Sequence, residues 1–281
     1  MSNSSFQLTD QQITFFQAFG YLGLPGLLAD SIQDIIHEFE MVWADRGGGH
    51  NGTPHDGKAR SCIVPFIDQR DRLSALLDDP RILGIATALL GDDFNYMGSD
   101  GNYYVGDTGW HSDGWHPEIT HIKIALYLDR LTRDTGCLRV IPGSHLLRDS
   151  YAQKLQSDIR KSQELWGIHG RAVPAMALDV TPGDVLVFNH NTKHAAFGGG
   201  DHRRMFTINL CQRYPEEKLP ELRQYIGGAA RFWIDEAYGP AMMRTAGPNR
   251  LRHLEQVMAN DYELPELSRK ARETMTEPSR G

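Results

Sequence analysis

The sequence predicts a mainly β fold, a double-sheet jelly roll flanked by helices, and two observations carry that prediction. From Phe94 onward the apolar residues stop recurring at the helical period and begin to alternate. Between Phe94 and Tyr214 lie eight short apolar runs punctuated by Gly, Pro and Asp, the pattern of strands in a two-sheet barrel. The 281 residues are expected to form one domain. Helical support should occupy 1–93, the jelly-roll core 94–214 with a helical insert at 144–170, and a helical extension 215–281.

Taken in order, residues 1–6 are polar and expected to fray. Thr9-Asp-Gln-Gln12 fits a capping box, in which the Thr hydroxyl and the Gln side chain satisfy each other's free backbone amides. The helix behind it is expected to bury Phe15, Phe16 and Phe19 and to stop at Gly20. Tyr21-Leu-Gly-Leu-Pro-Gly26 reads as a short strand or turn. Asp30 caps a second helix, on which Ile32, Ile35, Ile36, Phe39, Val42 and Trp43 recur at i, i+3, i+4, i+7 until Gly47-Gly-Gly49. The stretch from His50 to Arg60 reads as a flexible loop or as one that folds over a functional site. Ile82, Ile85, Ala86 and Leu89 mark a further helix that Gly91 ends.

The strand candidates are 94–98, 102–105, 121–128, 137–141, 173–178, 184–188, 194–197 and 203–213. Between them the insert shows helical spacing through Leu155, Ile159, Leu165 and Trp166. After Tyr214, the residues Leu219, Leu222, Tyr225 and Ile226 give an apolar edge. Residues 261–281 are rich in charge and poor in apolar side chains, so a loosely held tail is expected.

Composition narrows the partners. A net charge of -7 argues against nucleic acid, whose phosphates need clustered Lys and Arg. No apolar run reaches the length of a membrane span and the start lacks a signal-peptide pattern, so a cytoplasmic protein is expected. Cys62, Cys137 and Cys211 are widely spaced and odd in number, which reads as reduced thiols rather than a disulfide framework. A homo-oligomer stays open.

Chemistry concentrates in Gly109-Trp-His-Ser-Asp-Gly-Trp-His116. In an extended segment His111 and Asp113 point the same way, because side chains alternate faces along a strand. A second histidine follows the strand Asp184 to Phe188, either His194 or its rival His190 in the same turn. Two imidazoles and a carboxylate leave the opposite coordination face open, the arrangement of non-haem Fe(II) centres. About ten residues after His194 stand Arg203 and Arg204, either of which can hold a carboxylate with a bidentate fork.

H-x-D, a distant histidine and then an arginine resemble the Fe(II)/2-oxoglutarate oxygenases. Leu138-Arg-Val-Ile-Pro-Gly-Ser-His145, preceded by Thr135-Gly136, is similar to their phytanoyl-CoA dioxygenase-like branch, and the resemblance runs roughly from Phe15 to Tyr214. It implies a double-stranded β-helix of the cupin type, with Fe(II), 2-oxoglutarate and O2 as cofactor and co-substrates. It further implies hydroxylation coupled to decarboxylation of 2-oxoglutarate to succinate. By motif position His111, Asp113 and His194 are assigned to the metal, with His194 preferred because Phe197-Gly-Gly-Gly200 and the Arg pair follow it at family-like spacing. A halogenase is disfavoured, since Asp113 stands where that variant carries a small residue.

Strand phase favours Arg203 over Arg204 for 2-oxoglutarate. With Arg203 inward, Met205, Thr207, Asn209 and Cys211 line the barrel while Phe206, Ile208 and Leu210 pack outward. Asn102 and Lys123 are further candidates for the co-substrate; Trp115, His116, Tyr104 and Asn209 are candidates for the substrate. His145 is expected to tie down its turn. The polar candidates Lys123, His116, Arg139 and Asn209 hint at a small, charged metabolite, and the insert is expected to border its pocket. The competing reading is a cupin-like metal binder without oxygenase activity, a sensor or isomerase, which would use more histidines and need no arginine after the last ligand.

Overall fold

A computed structural model describes residues 6–281; residues 1–5, part of the segment expected to fray, lie outside the described residues. Eleven strands form among the described residues. They are β1 (Tyr21–Leu24), β2 (Ser61–Ile63), β3 (Phe94–Tyr96), β4 (Gly101–Tyr104), β5 (Thr108–His111) and β6 (His121–Tyr127). After these come β7 (Leu138–Val140), β8 (Met176–Leu178), β9 (Val185–Asn189), β10 (His194–Ala196) and β11 (Arg203–Gln212). The chain divides into two compact units, one of residues up to Leu8, Gln33–Tyr103 and Phe206–Gly281, the other of Thr9–Ile32 and Tyr104–Met205.

The second unit is an antiparallel sandwich of the double-stranded β-helix type. Strands β1, β9 and β6 pair in that order, with Phe188 of β9 opposite both Tyr21 and Lys123. The facing sheet runs β5-β10-β7-β8. Tyr21, Ala125, Leu138, Val140, Leu186 and Phe188 meet between the sheets as a buried core. Side chains on the outer face of the second sheet are covered by the insert: Leu155 and Ile159 pack with Trp110, Ile141, Val173 and Phe197. Burying one such leucine or isoleucine is worth about 1.5–3 kcal/mol, so each adds to the insert's hold on the sheet. The insert begins at the helix Ser150–Asp158, where Asp149 caps by accepting from Tyr151 N–H at 2.7 Å.

The first unit is built on aromatics. The helix Ile32–Asp45 sends Phe39 and Trp43 into a cluster with Phe66, Tyr103 and Phe206. Trp43 stacks on Tyr103 with centroids 4.3 Å apart, and the Tyr103 hydroxyl donates to Glu40 at 2.8 Å. Glycine is required at Gly101 because a Cβ there would run into the Phe66 ring. Strand β2 pairs with β4, and β3 with the end of β11.

Three local expectations are corrected. The helix Asp10–Phe19 has both bonds of its capping box and ends at left-handed Gly20, yet only Phe16 of its three phenylalanines is buried. Phe15 and Phe19 are 39% and 42% exposed. As an i, i+4 pair they share one side of the helix and cover each other, 4.7 Å between centroids. The stretch after His50 is no free loop at its start: His50 is buried, its Nε2–H donating to Pro278 O at 2.9 Å and its Nδ1 accepting from Cys62 N–H at 3.4 Å. The expected loose tail is the helix Leu264–Thr274 followed by an anchored end, in which Arg280 donates to Arg60 O at 2.9 Å. Its charges read as disorder in composition, but Arg269 pairs with Glu266 and Glu273 at helical spacing and Leu264 is buried.

Candidate metal centre

Antiparallel pairing of β5 with β10 sets His111 directly opposite His194, so a separation of more than eighty residues in the chain becomes one cross-strand pair. Their rings lie 4.2 Å apart between centroids. The neighbours Trp110 and Ala195 turn to the opposite face and join the insert's core, as strand alternation requires. Strand β5 ends at His111, and Asp113 N–H then donates to His190 O at 2.9 Å, which turns the carboxylate back toward the histidines. Asp113 Oδ1 stands 3.9 Å from His111 Nε2 and 3.7 Å from His194 Nε2.

Each imidazole is oriented by its other nitrogen. His111 Nδ1–H donates to Gly109 O at 2.8 Å and His194 Nδ1–H to Thr192 O at 2.9 Å. Both Nε2 lone pairs are thereby committed to the site, the tautomer a metal-bound histidine needs. Burial pushes His194 down to about 4 and also lowers His111, against the pull of Asp113, so both rings are neutral at neutral pH. Burial opposes ionisation of Asp113, but Lys123 and the surrounding histidines outweigh it and hold the carboxyl well below its ordinary value. Lys123 Nζ lies 3.0 Å from Asp113 Oδ2, leaving Oδ1 facing both histidines. Ser112, between the two predicted ligands, accepts from Lys193 Nζ at 2.8 Å, and the same ammonium donates to Gln156 of the insert.

The other sequence-predicted residues divide sharply. Arg203 is buried, donates from Nη1 to Gly136 O at 2.7 Å, and lies over the Tyr104 ring at 5.0 Å. A Cβ at Gly136 or Gly199 would collide with its guanidinium, so the Thr135-Gly136 and Gly198-Gly-Gly200 segments form its cradle. Both glycine segments stand out in the sequence, but only the fold brings them around one side chain. Arg204 turns the other way and pairs with Asp129, from Nη2 at 2.6 Å and Nε at 3.0 Å. Lys123 meets Asp113, as described, and Trp115 is 50% exposed. His116 stacks on His121, and His190 belongs to that same group rather than facing His111. Arg139 is buried over the Phe197 ring and donates to two backbone carbonyls, Arg133 O and Arg171 O. His145 contacts Gln17 O at 3.1 Å, a tie between its turn and the first helix. Asn102 and Asn209 lie in the first unit. There Asn102 accepts from Arg60 at 2.8 Å and donates to Asp100 at 2.6 Å, while Asn209 donates to Gly98 O at 3.1 Å.

Two neutral imidazoles and one carboxylate, all with ligand atoms within 4.8 Å of one another, fit a divalent ion of the iron type. Donors roughly 2.1 Å from an ion and at right angles stand about 3 Å apart, so the 3.7 and 3.9 Å gaps between Asp113 Oδ1 and the two imidazoles lie within about an ångström of ligand spacing.

A β-helix sandwich carrying this donor set is the architecture of the 2-oxoglutarate-dependent dioxygenases, and this chain is one of them. The family described as phytanoyl-CoA dioxygenase (PhyH) matches residues 16–205, and the chain belongs to it. It is 30% identical over 222 residues to ectoine dioxygenase of Sphingopyxis alaskensis, covering 68% of this chain and 71% of that protein. Among solved structures it is similar to the carbocyclase SnoK from nogalamycin biosynthesis, with a TM-score of 0.58, 23% identity, and coverage of 73% and 84% of the two chains. Similar too is EctD from S. alaskensis with 2-oxoglutarate and 5-hydroxyectoine, with a TM-score of 0.55, 24% identity, and coverage of 75% and 78%.

Proposed function

We propose that this dioxygenase hydroxylates a small polar or charged metabolite, with His111, Asp113 and His194 holding Fe(II) and Arg203 receiving the distal carboxylate of 2-oxoglutarate. The convergence of His111, Asp113 and His194, with each Nδ1–H committed to a backbone carbonyl, carries the reading. When bound, iron and 2-oxoglutarate together supply the oxidising power, consuming O2, releasing succinate and CO2 and delivering one oxygen atom to a substrate C–H bond.

The chain's own residues do the rest. Asp113 neutralises one charge of the ion and leaves the other for the co-substrate's carboxylates. Arg203, buried against Tyr104 and fixed by Gly136 O, offers its remaining guanidinium donors to a carboxylate in a bidentate fork. Lys123 keeps Asp113 turned so that a single oxygen faces the histidines. The Phe188 ring of the apolar core lies 4.8 Å from buried His194 and keeps water from that ligand's flank. Trp115, directly after the donor pair and half exposed, is suited to border the substrate. A small polar substrate is supported by the relative named for ectoine and by the neighbour that holds 5-hydroxyectoine.

The test is anaerobically reconstituted Fe(II) enzyme with 2-oxoglutarate, exposed to O2 with amino acids, amines, organophosphonates and acyl-CoAs in turn. Succinate release coupled to one of the small polar classes is the expected result. Coupling confined to acyl-CoAs would overturn the substrate class while leaving the reaction in place.

A further inference from the structure

A second set of nitrogen donors stands beside the first and has no part in it. His116 in the segment after Asp113, His121 at the start of β6 and His190 after β9 each offer a ring nitrogen, and the three lie within 4.8 Å of one another. The His116 and His121 rings stack, 3.7 Å between centroids with planes 9° apart. The His190 ring lies 5.9 Å from the first and 5.4 Å from the second. His121 and His190 are 1% and 2% exposed. The backbone beneath them is held: His190 N–H donates to His121 O at 3.0 Å. Asn191 accepts from His116 N–H through Oδ1 and donates to His116 O through Nδ2, both at 2.8 Å.

We propose that His116, His121 and His190 form a second metal site, taking a zinc-like divalent ion through three imidazoles with a fourth position open. An imidazole coordinates through the in-plane lone pair of one ring nitrogen, and each of the three offers such an atom within 4.8 Å of the others. An all-imidazole set suits Zn(II), Co(II), Ni(II) or Cu(II) more than Fe(II), which stands lower in the affinity order for nitrogen ligands. Zn–N distances of about 2.0–2.1 Å place tetrahedral donors roughly 3.4 Å apart, and because an imidazole binds in its own plane the partly exposed His116 ring must swing off the face of His121 to share an ion with it. Three protein ligands with one position left to water or another small donor is a familiar zinc arrangement. The carboxylate in the His111 set and its absence from this one give the two sites different preferences. Because Asp113 N–H bonds to His190 O, an ion here would also brace the segment that carries Asp113.

Cobalt distinguishes the two centres, since a tetrahedral nitrogen site gives intense visible d–d bands and a six-coordinate facial site weak ones. Chelator-stripped full-length protein is titrated with Co(II), and bound metal is counted after dialysis. Wild type is expected to hold two Co(II) per chain, one of them intensely coloured. His116→Asn and His190→Asn should each hold one, with the intense bands gone; His111→Ala should also hold one, with those bands kept. Zn(II) should raise the melting temperature of His111→Ala but not of the double variant His111→Ala/His116→Asn, whose second altered residue is only partly buried and whose apo circular dichroism should match that of His111→Ala. One Co(II) per chain in wild type without the intense bands, or intense bands that survive in both His116→Asn and His190→Asn, would overturn the proposal. Loss of the weak-band site from wild type with the coloured one retained would instead count against the iron assignment.

Discussion

His111 and His194 each donate Nδ1–H to a carbonyl two residues earlier in their own segment, Gly109 and Thr192. In the first unit, by contrast, two rings reach carbonyls far off in sequence: His50 meets Pro278 O and His253 meets Phe94 O. A local bond orients the ring and leaves its other nitrogen for chemistry. A long-range bond spends the ring on holding two parts of the chain together; His253 goes further and stacks flat on Phe94, 3.7 Å between centroids. The same side chain is thus a ligand or a strut according to how far its first hydrogen bond reaches, and substitution should separate the two roles.

The largest effect is expected at the donors. His111→Ala, Asp113→Ala and His194→Ala should each weaken iron binding by about a hundredfold or more, whereas His190→Ala should leave iron at this centre in place. Iron per chain after loading and desalting measures this, and iron kept by His194→Ala but lost by His190→Ala would reverse the assignment.

Next in size is the arginine pair. Arg203→Leu removes charge-assisted hydrogen bonds worth on the order of 1.5–3 kcal/mol each, so the 2-oxoglutarate Kd should rise roughly a hundredfold or more. Arg204→Leu breaks a pair with Asp129, about a quarter exposed and pointing away from Arg203, and should change that Kd by less than about tenfold. Anaerobic titration of the Fe(II)–2-oxoglutarate absorbance reads both.

The first unit supplies a pH effect. Burial raises Asp68 to about 6, despite donation from Tyr96 OH at 2.6 Å and Gly239 N–H at 3.0 Å. A folded-state value above the unfolded one means stability that is full below about pH 4 and is lost as pH rises through about 6. Raising the carboxyl from 3.8 to about 6 corresponds to roughly 3 kcal/mol. Denaturant midpoints across that window should fall with pH in wild type and flatten in Asp68→Asn; an unchanged slope in the variant would place the dependence elsewhere.

Smaller again, His50→Ala should lower stability by about 1–3 kcal/mol through the lost ties to Pro278 and Cys62, with iron content unchanged. A strut should show no metal phenotype, so iron loss in this variant would blur the contrast drawn above. Smallest is Thr9→Ala, about 0.5–2 kcal/mol from the loss of a helix cap, read from the chemical-denaturation midpoint.

Much of the sandwich was legible because its causes are local. Alternation at Ile122, Ile124 and Leu126, or the apolar run Val185 to Phe188, needs only neighbouring residues to be recognised. Strand β2 escaped notice because three residues, Ser61–Ile63, are too few for a period to show. The tail reads as loose in composition because a charge count leaves out its i, i+3 and i, i+4 partners. Within the site, His111 and Asp113 could be paired by eye across one residue. The glycine cradle of Arg203 could not, since Gly136 and Gly199 lie far apart and meet only around the guanidinium.

By itself, then, the sequence determined the donor types, the capped first helix and the change of period at Phe94, all set by covalent spacing and the geometry of a single element. Only the tertiary structure decided that His194 rather than His190 lies opposite His111, because that depends on the register between β5 and β10. It likewise decided that Lys123 faces Asp113, that Arg203 turns inward while Arg204 meets Asp129, and that His190 joins His116 and His121. Register and long-range pairing are settled by how whole faces bury against each other, and no window along a single chain contains both faces.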